Sequence, residues 1–466
     1  MNLRLLPYLF CAFLAGGCAV GPNFKAPDAH PPGAFRGPEA AGTNSLGDLA
    51  WWRLFQDPAL QDLIRTALTN NYDLRVATAR VEESHALLAQ SRSAFYPQVT
   101  YEGASGAGRN VLGGAPFDTG KGAGKGSDLA GGVSWEIDLW GRIRRLNESA
   151  RAQYFATEEA RRNVLISLIS GVAQAYFQLL ALDDELAIAD GTTNAFGQSF
   201  NLFNDRLQGG VASKLETSSA EAALASAAAT IPELRRQIVI QENQIRVLLG
   251  FNPGSVLRRQ GALRGELLPE VPPGLPAALL ERRPDIRQAL QLMRSANAQV
   301  GVASANFYPQ ISLTGLFGEV SPELVPFTSG VLSAWSVAGN LAGPIFRGGL
   351  LKGQLRQAQA QWEAARFQYQ STVLNAFQEV SNALVSQQEL ANERREQARA
   401  VAAYEEAVQV ANERYRGGQA SYYELLQEQQ LLFPAQNALT QTLLNQLLST
   451  VQLYKALGGG WNTEAQ

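Results

Sequence analysis

Two stretches of the chain, "SAFYPQVTYE" (93–102) and "ANFYPQISLT" (305–314), share FYPQ at an offset of 212 residues. Each runs on into alternating apolar and polar positions, and the offset recurs elsewhere. "NYDLR" at Asn71 matches "RPDIR" at Arg283, again 212 apart. Further on, "RLQGGVAS" at Arg206 matches "RYRGGQAS" at Arg414, and "LLG" ending at Gly250 matches "ALG" ending at Gly458, both 208 apart. An offset that drifts by only four over a whole copy identifies a duplication. The boundaries read from it are repeat 1 over 61–252, a linker over 253–272, repeat 2 over 273–458 and a tail over 459–466.

Each copy carries the same succession of textures. "NYDLR" and "RPDIR" read as helix starts. Asn71 caps, Pro284 suits the first helical position, and Asp73 and Asp285 face the positive end of the helix dipole. After FYPQ comes period-2 alternation, the pattern of a strand with two unlike faces. In the first copy Leu129, Gly131, Val133, Trp135, Ile137 and Leu139 share one face. In the second, Ile311, Leu313, Gly315 and Phe317 do so, followed by Trp335, Val337, Gly339 and Leu341. Segments of about 9–11 residues with one apolar face meet the requirement for a membrane-spanning strand, though a half-buried sheet in a soluble domain alternates in the same way. Gly-rich 106–128 reads as an exposed loop between the first pair of strands.

Long proline-free stretches follow. Leu165, Leu168, Val172, Ala175, Leu179, Leu182 and Leu186 step 3-4-3-4-3-4, and Val373, Ala376, Val380, Ala383, Gln387 and Leu390 repeat the pattern 208 later. Such a heptad seam packs helices as coiled coils. A continuous helix from Gly141 to about Phe203 is roughly 90 Å long at 1.5 Å per residue, so an elongated protein is expected. The glycine pairs Gly209–Gly210 and Gly417–Gly418 read as turns that end these helices, with Ser213 and Ser421 capping the helices that return.

The chain has 466 residues, 39 bases against 42 acids and a formal charge of −3. No basic field favours nucleic acid. Only the extreme N-terminus reads as continuously apolar, which argues against a helical membrane protein. In that N-terminus, Arg4, the apolar run Leu5–Leu14 and Ala15–Gly17 read as a signal peptide over 1–17. Cys18 follows as the candidate lipidation site of a bacterial lipoprotein, and 18–60 reads as a Pro- and Gly-rich tether and connecting segment. With Cys11 in the discarded leader, no intrachain disulfide is expected.

Two strands per copy give four per chain, and a lipid-facing sheet cannot keep open edges. Copies must therefore pool strands. Two copies give eight, with a filled interior; three give twelve and a lumen. The expected fold is a mixed α+β membrane protein: a trimeric 12-stranded β-barrel, four strands per chain, continued by a long α-helical coiled-coil barrel and built from two internal repeats. The FYPQ proline ends the incoming helix and its Phe–Tyr pair suits an interfacial aromatic belt.

The motifs "WWRLFQDPALQDLI" (51–64), "NNYDLRVATARVEE" (70–83), "WEIDLWGR" (135–142), "ERRPDIRQA" (281–289), "FYPQISL" (307–313), "GPIFRGG" (343–349) and "LYKALGGGW" (453–461) resemble the TolC-like outer-membrane factors, within them the NodT/OprM-type lipoprotein branch. The resemblance implies an outer-membrane homotrimer, lipid-anchored, with a tunnel into the periplasm. It implies the channel of a tripartite efflux pump, partnered by a periplasmic adaptor (membrane fusion) protein and an inner-membrane transporter of the RND type. Export of proteins and a non-conducting envelope scaffold are the alternatives. The resemblance also places a gate at the periplasmic tip. There Glu424 is expected to form an acidic ring, Tyr415 to tie helices together with Glu216 as partner, and Tyr423 to constrict the pore; Gln427 and Ala420 depart from the family pattern. A solvated carboxylate near a helix start is the plainer role for either glutamate. No enzyme is expected, since neither His30 nor His85 belongs to a metal-ligand or catalytic cluster. No cofactor or metal is expected beyond a covalent lipid on Cys18.

Overall fold

The computed structural model describes residues 19–28, 31–36, 45–108, 124–258, 263, 276–321 and 332–460. Cys18 lies outside them. The chain divides into two compact units.

One unit holds Arg80–Glu158 and Gln288–Gln370 with the N-terminal segment. Its centre is an antiparallel sheet of four strands in the order β1 (Gln98–Gly108), β2 (Gly124–Ile137), β3 (Gln310–Ser321), β4 (Leu332–Ala342). In both copies FYPQ stands where a helix gives way to a strand, since β1 starts at Gln98 and β3 at Gln310, one residue after each proline. The ladder registers Val99 with Val133, Gly131 with Phe317, Val133 with Gly315, Trp135 with Leu313 and Phe317 with Trp335. Side chains alternate along each strand, so these residues form one apolar face across all four strands. Bulky residues sit opposite glycine, as in Phe317–Gly131 and Leu313–Gly339, which leaves room across the ladder for the larger side chain. On that face Tyr101 is 87% and Trp335 75% exposed. The opposite face carries Thr100, Glu102, Ser134, Ser312, Thr314, Ser336 and Asn340. Strands β1 and β4, of 11 residues each, match the expected 9–11, while β2 has 14 and β3 12; β1 and β2 both run into the Gly-rich stretch. The expected 106–128 loop is accordingly narrower, and 109–123 falls outside the described residues.

The junctions between strand and helix are held by indole hydrogen bonds. Trp135 Nε1 donates to the Phe95 carbonyl at 3.0 Å and Trp140 Nε1 to the Pro309 carbonyl at 2.7 Å, with Trp140 stacked on Tyr308 at 4.8 Å.

The other unit holds Ala29–Ala79, Glu159–Arg287 and Ser371–Gln466. Two short helices, α1 (Trp51–Leu54) and α2 (Pro58–Asn70), precede α3 (Tyr72–Ser93). The long helices are α4 (Arg142–Gln208) and α8 (Leu350–Arg416), with return helices α5 (Lys214–Leu248) and α9 (Tyr422–Ala456). Between them lie α6 (Pro276–Arg282) and α7 (Pro284–Ala305). The copies match element for element. Helices α3 and α7 have 22 residues each, α4 and α8 67, and α5 and α9 35. At 1.5 Å per residue, α4 and α8 are each about 100 Å long.

The heptad seams are buried as expected. Val172 and Leu179 are fully enclosed in α4, and Ala376 and Val380 in α8. In this unit the seam meets the "WWRLF" segment, where Trp51, Leu54 and Phe55 are buried against Phe177 and Tyr454. Each such side chain contributes roughly 2–3 kcal/mol of apolar burial. Tyr176 donates to the buried carboxylate of Asp57, and Tyr454 to the Leu49 carbonyl at 2.7 Å. Burial pushes the Tyr454 phenol well above its usual range. Within α4, an 18-residue window with mean hydropathy 1.7 is apolar enough to span a membrane, contrary to the reading that only the N-terminus is so apolar. Two thirds of that window is buried inside the chain, so its apolarity serves the core.

The caps at the helix starts are present. Asn71 Oδ1 accepts from Leu74 N, and its amide donates to the Leu248 carbonyl 177 positions away. Arg283 is buried between Asp285, Glu379 and the Ala456 carbonyl, so "RRPDIR" closes the end of α9. The exposed His85 lies 5.6 Å from the Tyr154 ring.

Candidate functional site

The candidate site is the pair of turns that join the long helices to their return helices. Both are Schellman motifs built on the second glycine of each pair. In the first turn Gly210 N donates to Leu207 O and Val211 N to Arg206 O; in the second Gly418 N donates to Tyr415 O and Gln419 N to Arg414 O. Gly210 and Gly418 take φ of +75° and +71°. Such a conformation costs a side-chain-bearing residue about 1–2 kcal/mol. Gly209 and Gly417 do not take it, so one left-handed glycine per turn suffices where a pair was expected.

Beyond the backbone the turns diverge. Ser213 accepts from Glu216 N at 3.2 Å, and Glu216 Oε2 accepts from Ser213 N at 2.7 Å, a complete capping box. Ser421 makes no side-chain cap, contrary to expectation. Glu216, expected to partner Tyr415, is therefore committed to the start of α5. The Tyr415 hydroxyl accepts instead from Arg206 Nη1, and the same guanidinium lies 5.4 Å from the Tyr415 ring. Tyr415 also packs against Phe203 and Tyr422, whose own rings are 4.0 Å apart. Phe203 and Tyr422 are each 2% exposed. Burial raises the Tyr422 phenol above its ordinary pKa, which keeps it neutral beside its aromatic neighbours.

Glu424 and Arg414 stand 3.5 Å apart, each about half exposed. The carboxylate expected to give a purely acidic ring thus has a cation beside it. Tyr423 is 47% exposed and lines a cleft with Phe196, Ala223, Leu426 and Phe433. Sequence reading missed Arg206, Phe203 and Tyr422. The seam it followed to Leu186 continues at the same spacing through Ala189, Thr193, Phe196 and Phe200 to Phe203, and that extension points straight at the cluster. Nothing comparable marks Arg206, whose partner lies 209 positions away.

Comparison with known proteins places this architecture. The model of the outer membrane efflux protein family matches residues 63–251 and 275–459. The antibiotic efflux pump outer membrane protein ArpC of Pseudomonas putida is 36% identical over 99% of this chain and 96% of its own. The probable outer membrane lipoprotein SilC of Salmonella typhimurium is 32% identical over 99% of both. The open-state MtrE outer membrane channel of Neisseria gonorrhoeae superposes with a TM-score of 0.87 at 28% identity, covering 96% of this chain and 100% of that one. The expected fold is therefore the fold of these channels: a trimeric 12-stranded β-barrel in the outer membrane, continued by an α-helical tunnel into the periplasm. With its duplicated hairpins, two-faced four-stranded sheet and glycine turns, the chain belongs to the outer membrane efflux protein family and is an outer-membrane efflux channel.

Proposed function

We propose that three copies of this chain form a passive conduit, anchored through a lipid on Cys18 and closed at rest by the Arg206–Tyr415 tie at the helical turns. A periplasmic adaptor protein joins the conduit to an inner-membrane transporter of the RND type, which selects the cargo of drugs and other toxic small molecules. The protein adds no chemistry of its own: it is a path, not a catalyst, and needs no metal or cofactor.

The observation that carries the gate reading is the bridge between the repeats. Arg206 lies in the last turn of α4 of the first copy and Tyr415 in the last turn of α8 of the second. Arg206 is exposed, and one tyrosine holds it twice, through the hydroxyl and through the ring. Beneath it, Phe203 and Tyr422 exclude water. Widening the end of the tunnel requires α4 and α8 to part at this point. Glu424 and Arg414 add a weaker, salt-sensitive contact, and Tyr423 narrows the opening.

Single-channel recording of the purified trimer tests this. Arg206→Ala is expected to raise conductance and open time, and Glu424→Ala combined with Tyr415→Phe to raise them less, because the Tyr415 ring still stacks. Conductance and closed dwell times equal to wild type in both variants would remove these residues from the gate.

A further inference from the structure

The segment that follows residue 18 is seated on the protein by contacts that a loose tether would not make. Val20 N donates to the Trp140 carbonyl at 2.9 Å, and the Ala19 backbone lies directly over Gly141. Gly21, with φ +92°, crosses Gly301 of α7 so closely that a Cβ on Gly21 would stand 2.5 Å from the Gly301 Cα. Phe24 lies 5.3 Å beneath the Arg294 guanidinium.

The centre of the seat is Arg145 of α4, whose side chain is only 5% exposed. Glu148 balances its charge at 2.8 Å. The remaining acceptors come from the segment: Asn23 Oδ1 at 2.8 Å, and the carbonyls of Gly21 and Val20 at 3.4 Å. A buried guanidinium presents five donors and is costly to leave unsatisfied. Without the segment, Arg145 would lose three of these four acceptors, and the cover they give it.

The second repeat supplies the control. The residue 208 positions after Gly141 is Gly349, also in the left-handed region at φ +89°. A Cβ there would meet nothing within 4 Å among the described residues, and the counterpart of Arg145 is Gly353, equally open. The duplication kept the hinge glycine in both copies and built a receptor over only one of them.

We infer that Gly141, Arg145, Arg294 and Gly301 form a recognition slot for one extended peptide, Ala19–Phe24, and that this peptide acts as a strap locking the junction between β2 and α4. The slot reads backbone carbonyls at positions 20 and 21, an amide side chain at 23 and an aromatic ring at 24. At position 21 it admits only glycine, through both φ and clearance. The strap also fixes where the chain before it is attached, beside Trp140 and Tyr308, at the level where sheet passes into helix. Anchoring at a set height is then a property of the fold, separate from any acyl group.

Hydrogen–deuterium exchange on the full-length trimer in detergent tests this. In the wild type the Val20 amide, which donates to the Trp140 carbonyl, should exchange at least about tenfold more slowly than a solvated chain. Arg145→Met, which keeps the apolar stem but removes the donors, should abolish that protection and speed exchange around Gly141. Asn23→Ala alters one exposed side chain of the strap, so it cannot unfold the channel, and should lower the same protection severalfold. An unprotected strap in the wild type, or protection unchanged in Asn23→Ala and in any Arg145→Met protein that folds, overturns the proposal. Gly21→Ala should act as Arg145→Met does; normal protection there would equally count against the slot.

Discussion

The two helical turns have one backbone and two chemistries. Each ends a 67-residue helix with a Schellman motif and opens a 35-residue helix eight positions after its arginine, at the same offset of 208. The first turn uses its serine and glutamate to finish its own helix. In the second, Ser421 leaves the cap open and Glu424 reaches Arg414, while Tyr415 and Tyr422 are given over to the first copy's Phe203 and Arg206. The first copy thus caps its own return helix while the second leaves its cap open, and the two share one aromatic cluster. Geometry persisted because the backbone demands it, and side chains diverged where only the partner constrains them.

The sharpest way to break this contrast is to empty the shared cluster. Phe203→Ala removes a fully buried ring at a cost of about 3–5 kcal/mol, and both turns should lose hydrogen-exchange protection together. If only the first turn loosened, the two would not share the cluster. Next come the glycines. Gly210→Ala should cost about 1–2 kcal/mol by thermal or denaturant melting, whereas Gly209→Ala, which meets only ordinary contacts beyond 3.4 Å, should be nearly neutral. Equal effects would show that the left-handed residue has been misassigned. The caps are a finer probe. Ser213→Ala should cost about 1 kcal/mol and fray the start of α5, while Ser421→Ala should leave the start of α9 as it was. The smallest effect is expected for Glu424→Ala, a few tenths of a kcal/mol for a half-exposed pair and less at high salt. A larger, salt-independent loss would mean that Glu424 has a buried partner in the assembled trimer.

Much of this architecture was legible beforehand, because repetition and periodicity are properties of the chain itself. FYPQ marked both passages from helix to strand, the period-2 positions Val133, Trp135, Leu313 and Trp335 mapped onto one sheet face, and the 3-4 seam at Val172 and Val380 proved buried. Resemblance to the outer-membrane factors added the tip and its residues. What stayed hidden was pairing across large separations. Tyr415 was picked out but assigned to Glu216, since a tyrosine and a carboxylate make an obvious couple; the capping box, itself readable as S-x-x-E at 213–216, had a prior claim on that carboxylate. Tyr422 and Phe203 were passed over because each looks like an ordinary helix residue until the other is beside it. The strap was hidden for another reason: a stretch rich in Pro and Gly reads as a tether, and only Arg145, 122 positions beyond Asn23, makes it part of the fold.

The unfinished sheet has a genetic consequence. Strands β1 and β4 each end the ladder with a free edge of 11 residues, so every closed wall draws on three separately made chains. A variant damaged at one of these edges but still able to join would spoil every assembly it enters. In a cell making equal amounts of sound and damaged chain, roughly one assembly in eight would contain sound chains alone if they mix at random. Defects at the edges should therefore behave as dominant alleles, whereas defects that unfold a chain before it meets its partners should be recessive.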